Sequence, residues 1–308
     1  MDIGVLFSAL PGNIAQGLIW GIMALGVFLT YKILNFADLT VDGSIATGGA
    51  VTVVLIISGW SAPAALAVAF AAGVLAGLLT GLLHTMLGIP DILAGILLQI
   101  ALYSINLNIM GGAANMALSV TQYNLLVSLR YIPKTLLVTG VIILVLISLM
   151  YWYFGTEQGS AIRATGTNPA MSRAQGINID SMKVLALALS NGFVALSGGI
   201  LAQYQGFSDI NMGRGAIVIG LAAVIIGEVI GNALVGKRMN FSIRLLFVVV
   251  GAILYYIAIG VVLWLRMPTN NLKLFTAIIV AVFLAVPYLK EKANNSFAKA
   301  GRRGNKIS

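Results

Sequence analysis

No cysteine occurs in the 308-residue chain, and His84 is its one histidine. Without thiols there is no disulfide, no cysteine zinc site and no thiol nucleophile. One imidazole rules out a multi-histidine metal site, and no G-x-S-x-G stands ready to pair with it. Charge is also scarce: 9% of the residues are Asp, Glu, Lys or Arg, where soluble domains carry about 25%. A globular chain of this length could not cover its surface with so few charges. Soluble enzymes, nucleic-acid binders and disordered tails are excluded together. What is present is hydrophobic, 59% of residues, with 35 glycines and a net charge of +9. This is the composition of an integral membrane protein.

Long apolar runs lie at 13–31, 62–85, 91–110, 135–154, 184–204, 215–235, 245–264 and 274–289. Most reach the ~20 residues that cross a bilayer's hydrocarbon. The run 44–58 is shorter, about 22 Å at ~1.5 Å per residue. It follows the polar stretch Leu34–Ser44, so it reads as a tilted ninth span or as a broken, re-entrant element. The expected fold is all-α and polytopic: eight or nine transmembrane helices, one of them broken, in a single domain over 1–308. No basic n-region precedes the first apolar run, so no cleavable signal is expected.

The basic residues set orientation through the positive-inside rule. With the C-terminus inside and 44–58 crossing, Lys32, the loops 155–183 and 236–244 and the basic tail 290–308 all fall inside. That places 13 of the 18 Lys and Arg there and five outside. A cell membrane, with the C-terminus inside, is the expected location. Trp60, Trp152 and Trp264 sit near run ends, as an aromatic belt would have them. Gly73, Gly77 and Gly81 form a small-xxx-small stripe, as do the pairs Gly17/Gly21 and Gly227/Gly231. The stripe reads first as close helix packing, and otherwise as a passage or a dimer seam.

Several residues stand out as chemistry. The run from Gly231 to Gly236 and Lys237 is one residue short of a P-loop, but no strand precedes it and Arg238 cannot ligate Mg²⁺. It is no nucleotide site. His84 reads as an interfacial or capping group, and no metal site is expected. Asp38 and Asp42 stand four apart between apolar runs, with Asn35, Thr40 and Ser44 around them. Capping at a helix N-terminus accounts for one of these carboxylates. For the pair, a discontinuous helix touching solute is the functional reading. Gln99, Tyr103 and Asn106 fall on one helical face, which either bonds a neighbouring helix or lines a pathway. Glu228 reads as a salt-bridge partner for the basic cluster, with a proton site as the alternative. In the loop 155–183, Asn168 before Pro169 starts a helix of about two turns and Gly176 stops it. The length of this loop suits a docking element.

Three motifs resemble one family. Asn35–Phe36–Ala37 resembles the N-F-A motif of branched-chain amino-acid ABC importer permeases. Asp38–Leu39–Thr40–Val41 with Gly43–Ser44 resembles the D-L-S-V-G-S motif of ribose-type sugar permeases. Arg163, Ala164, Gly166, Asn168, Ala174 and Gly176 resemble the segment by which such permeases dock on their ATPase. The unbroken run from Asn35 to Ser44 is closest to a subgroup associated with lipoprotein binding proteins for aromatic amino acids. Asp42 departs from the sugar pattern, and Asp38 stands where the amino-acid pattern has His.

The resemblance implies a non-enzymatic transport subunit without a cofactor of its own, ATP and Mg²⁺ being held by the ATPase. It also implies a homodimer, two cytoplasmic ATPase subunits and a lipid-anchored extracytoplasmic solute-binding protein, with no nucleic acid involved. Asn35, Asp38, Thr40, Asp42, Gln99, Tyr103 and Asn106 are the expected pathway residues. An amino acid, aromatic by preference, is the expected solute. A nucleoside or sugar importer is the alternative, and an ion-coupled secondary transporter a further one.

Overall fold

The computed structural model describes residues 3–236, 239–265, 274–278, 280–282 and 285. In chain order the helices are α1 (Ile3–Phe28), α2 (Val41–Ile57), α3 (Ala62–Thr85), α4 (Asp91–Ile109) and α5 (Ile132–Phe154). They continue with α6 (Glu157–Thr167), α7 (Pro169–Ala174), α8 (Ile179–Gln205), α9 (Ala216–Leu234) and α10 (Phe241–Trp264). Two three-residue strands, β1 (Asn115–Ala117) and β2 (Phe207–Asp209), pair antiparallel with Met116 opposite Ser208. Among the described residues seven helices are long and apolar enough to cross a membrane: α1, α3, α4, α5, α8, α9 and α10. The 17-residue α2 is the shorter apolar helix. The run 274–289 is helical at 274–278, 280–282 and 285 and otherwise lies outside the described residues, as does the basic tail 290–308.

Helix α1 ends in a widened turn. Leu29–Ile33 is π-helical, and Leu34 N–H donates to Leu29 O at 3.0 Å while Phe36 N–H reaches Thr30 O at 2.9 Å. Asn35 then takes a φ of 55°. That is left-handed backbone, which Asn tolerates better than other side-chain-bearing residues. The chain is irregular through residues 35–38 before it turns into α2. The short run is therefore preceded by a break: helical turns run on to Ile33, residues 35–38 are irregular, and α2 heads back toward the face where α1 began. Leu34, Phe36 and Asp38 of this stretch are buried against protein, which irregular backbone needs at membrane depth. Twelve of the 17 residues of α2 are buried.

The far end of α2 reaches the opposite face, where Val53 and Ile56 pack with Leu118, Leu125 and Ala202. The start of α1 lies at that same face, since Tyr204 Oη–H donates to Gly12 O at 3.3 Å. The N-terminal side of α1 is thus opposite to Lys32.

Close packing, not a passage, explains the glycine stripe. A side chain at Gly73 or Gly77 would collide with the backbone carbonyl of Asn191 or Leu187, and one at Gly81 would sit 2.8 Å from Val184 Cα. All three contacts seat α3 on α8. Gly17 and Gly21 seat α1 on α10 in the same way, against Ile253 and Val249. Helices α1 and α8 form the centre of the bundle. The outer faces are apolar, as on α5, where Leu137, Leu144, Val145 and Leu149 are exposed. Lipid is the solvent for such a face.

Candidate functional site

The N-termini of α2 and α9 meet inside the bundle, and Asp42 joins them. Its Oδ2 accepts the Gly215 N–H at 2.9 Å and its Oδ1 accepts the Ile217 N–H at 2.9 Å. Gly215, the residue preceding α9, has a φ of 87° and no side chain to cap with. Asp42 supplies that cap from another helix, where a carboxylate also suits the positive end of the helix dipole. A side chain at Gly213 would strike the Asp42 carbonyl, so glycine is needed for this approach.

Asp38 is placed differently. It is buried and accepts the Thr40 N–H at 2.9 Å and the Asn191 Nδ2–H at 2.7 Å. Asn191 Oδ1 in turn accepts from Ser44 Oγ at 2.6 Å, and the Thr40 and Thr80 hydroxyls lie 2.7 Å apart. This closed network ties the irregular stretch to α3 and α8. Capping thus accounts for Asp42, while Asp38 braces the stretch before α2, whose N-cap Thr40 has no side-chain cap bond. The sequence could not show which carboxylate caps, because the helix capped is α9, over 170 residues away.

A cavity of about 320 Å³ lies beside Asp42. Its wall is Asp42, Gly43 and Ala46 of α2, Gln99, Ile100, Tyr103, Ser104 and Asn106 of α4, and Ile210 and Arg214 before α9. Close approach of α2 and α4 builds it. A side chain at Gly43 would lie 2.9 Å from Leu102 Cδ1, and one at Gly95 2.7 Å from Leu39 N. The lining is mixed, and its polar side chains other than Asp42 are unpaired among the described residues. Neither amide atom of Asn106, a fully buried residue, has a partner. Gln99, Tyr103, Ser104 and Arg214 make no side-chain hydrogen bond to another described residue. Asn106 is the buried one of these. A buried amide left without a partner costs about 1–3 kcal/mol, which a water or a polar guest in the cavity would offset.

Of the seven expected pathway residues, Asp42, Gln99, Tyr103 and Asn106 line this one cavity. Asp38 and Thr40 sit behind it in the buried network, and Asn35 is exposed at the end of α1. Ser104 and Arg214 belong to the lining and escaped the sequence reading. Arg214 carried no signal beyond its charge, which counted only toward orientation.

On the basic side, Lys32 Nζ and Glu228 Oε2 form an ion pair at 2.9 Å, the salt bridge expected of Glu228. His84 Nε2 accepts from Lys183 Nζ at 3.0 Å, because an ammonium can only donate. Its Nδ1–H therefore donates to Ile89 O at 2.9 Å, and the ring locks the turn after α3.

The loop 155–183 holds two helices where one was expected. Asn168 caps the second, α7, by accepting the Met171 N–H at 3.1 Å, and Gly176 leaves it with a φ of 80°. Start and stop fall where they were expected. Arg163, Asn168, Ala174 and Gly176 are exposed, and Ala164 is half-buried. Gly166 faces inward: a side chain there would strike the Ile33 carbonyl. It is a packing contact between α6 and the break after α1.

The membrane-crossing helices make this a multi-pass membrane protein with a cavity between α2 and α4. The family model described as "Branched-chain amino acid transport system / permease component" matches residues 12–287, and the chain belongs to that family. It is 38% identical over 292 residues to the tyrosine transport system permease protein of Clostridioides difficile (strain R20291), covering 95% of this chain and 96% of that one. It is also 32% identical over 287 residues to an uncharacterized protein of Rickettsia prowazekii (strain Madrid E), covering 92% and 98%. No solved structure matches it significantly. Membership makes the chain the permease subunit of an ABC importer, a class that works with separate ATPase and solute-binding partners.

Proposed function

We propose that this chain forms half of the translocation path of an ATP-driven importer for an amino acid, with an aromatic amino acid as the cargo. The observation that carries the reading is the cavity wall of Asp42, Gln99, Tyr103, Ser104, Asn106 and Arg214, whose polar side chains lack protein partners except at Asp42. A carboxylate and a guanidinium in one small cavity suit a zwitterion, and the Tyr103 ring offers an aromatic face. The name of the Clostridioides relative supports the choice of solute. Ile100 and Tyr103 at the cavity rim are exposed in the single chain. A second copy placed against α4 completes the path, as a two-fold homodimer.

The membrane is the bacterial plasma membrane, with the Lys32 end and the C-terminus cytoplasmic. There α6 and α7 dock on the ATPase through a groove of about 450 Å³ containing Arg163, Ala164, Asn168 and the exposed Met171. The solute arrives from a lipid-anchored binding protein on the opposite side.

Uptake into proteoliposomes holding the permease, its ATPase and its binding protein tests the reading. Asn106→Leu is expected to lower the uptake rate about tenfold, the equivalent of one hydrogen bond to a charged solute. Tyr103→Ala should lower it as well, with docking of the binding protein unchanged. Wild-type uptake in both variants at normal expression would move the path elsewhere. Uptake that fails with protonophore while ATP stays high would instead make this a secondary transporter.

A further inference from the structure

A second polar cavity lies at the other end of the chain's long helices, and the transport path does not use it. It has a volume of about 320 Å³ and is walled by Lys32, Arg163 and Arg244 together with Phe28, Thr167 and Phe241. The Lys32 ammonium is paired with Glu228. Arg163 and Arg244 have no ion-pair partner among the described residues. Two uncompensated guanidiniums face one small space.

The start of α10 adds to them. Asn240 precedes the helix with no side-chain cap, and the first amide to find a carbonyl is Arg244 N–H, bonded to Asn240 O at 3.0 Å. The amides of Phe241, Ser242 and Ile243 have no partner among the described residues. Uncapped amides at the positive end of a 24-residue helix favour an anion. Phe241 and Arg244 of that first turn line the same cavity as Arg163.

Position decides which anion. Phe28 and Ile33 close the first span, Phe154 the fifth helix, and Phe241 opens the tenth, so the cavity lies where three spans end. An adjoining cavity of about 470 Å³ shares Arg163 and Phe241 with it and opens past Tyr151 and Trp152. Those two rings are 57% and 70% exposed, as interfacial aromatics are. A phosphate bearing acyl chains fits both halves: the headgroup against the arginines, the chains down the aromatic groove.

We propose that Arg163, Arg244 and the α10 N-terminus bind the phosphate of an anionic phospholipid. Basic pockets between membrane helices recognise such headgroups through charge and hydrogen bonding.

The test uses the full-length permease in nanodiscs, either of phosphatidylcholine alone or of equal parts phosphatidylcholine and phosphatidylglycerol. Thermal unfolding and native mass spectrometry after detergent extraction are the readouts. Phosphatidylglycerol is expected to raise the Tm and to stay bound through extraction. Arg163→Gln and Arg244→Gln should each weaken retention about fivefold, as expected for about 1 kcal/mol per basic residue. If Arg163→Gln fails to fold, Arg244→Gln carries the test, since Arg244 is exposed. Arg130→Gln, at the opposite face, should retain lipid as wild type does. Equal loss from Arg130→Gln, or none from Arg244→Gln, overturns the proposal. Inorganic phosphate that matched the Tm gain in phosphatidylcholine discs would assign the cavity to a free anion instead. Unchanged lipid with lost ATPase co-purification in Arg244→Gln would assign it to protein carboxylates.

Discussion

Asp38 and Asp42 are the same residue type, four positions apart, yet they do different jobs. Asp38 is closed in on every side and satisfies Thr40 and Asn191. Asp42 caps α9 and still borders the cavity. Asp38→Ala should therefore orphan two buried donors and lower stability by about 1–3 kcal/mol for each. Asp38→Asn keeps one acceptor but sets an NH₂ against the Asn191 NH₂, so a loss of about 1 kcal/mol is expected. Thermal melts of the purified permease check both, and an unchanged Tm in Asp38→Ala would show that the network contributes nothing. Glycines divide in the same way. Gly48→Val drives a side chain into the Ala195 carbonyl and should cost at least the ~1–3 kcal/mol of an overpacked core. Gly140 meets nothing within 4 Å, so Gly140→Ala should stabilise α5 by up to ~1 kcal/mol through helix propensity. Equal melts for these two variants would remove the packing argument.

At the scale of elements, α6 packs on the end of α1 just before the break. Gly166 rests on Ile33, residues 34–37 lead to Asp38, and Asp42 follows at the cavity. Under the proposed function, a push on α6 has a short covalent route to the path. Gly166→Val is expected to displace α6 and to reduce ATP-driven uptake severalfold, while Ala174→Trp, on the exposed side, weakens only binding of the ATPase. Coupled uptake measured beside ATPase pull-down separates the two. Normal uptake in Gly166→Val would break this route. The element boundaries themselves were largely legible. Asn168 and Gly176 bracket α7 because caps are local chemistry. The preceding helix α6 was not legible, since its sequence is polar on most sides and its burial rests on Gly159, Ile162 and Thr165 alone.

At the scale of the whole molecule, one copy leaves the cavity open beside the exposed residues Leu97 and Ile100 of α4. The native chain has no cysteine, so single-cysteine variants report contacts cleanly. Leu97→Cys or Ile100→Cys in native membranes should give a disulfide-linked dimer on oxidation, and Leu144→Cys on the outer face of α5 should not. Monomer alone from the α4 variants, or equal dimer from α5, would place the two-fold axis elsewhere.

Composition and run length were enough to establish an all-α membrane protein, because the bilayer imposes its own length and polarity on every crossing segment. Local motifs were enough for the start and stop of α7, the glycine seam and the family. Gln99, Tyr103 and Asn106 were recognisable as one face because helical periodicity is a property of the chain itself. Sequence could not say which neighbour that face meets. Only the fold brought Asp42 and Arg214 to it from opposite directions along the chain, and only the fold buried Asp38 against Asn191. Long-range juxtaposition depends on how the whole bundle closes, which no local pattern encodes.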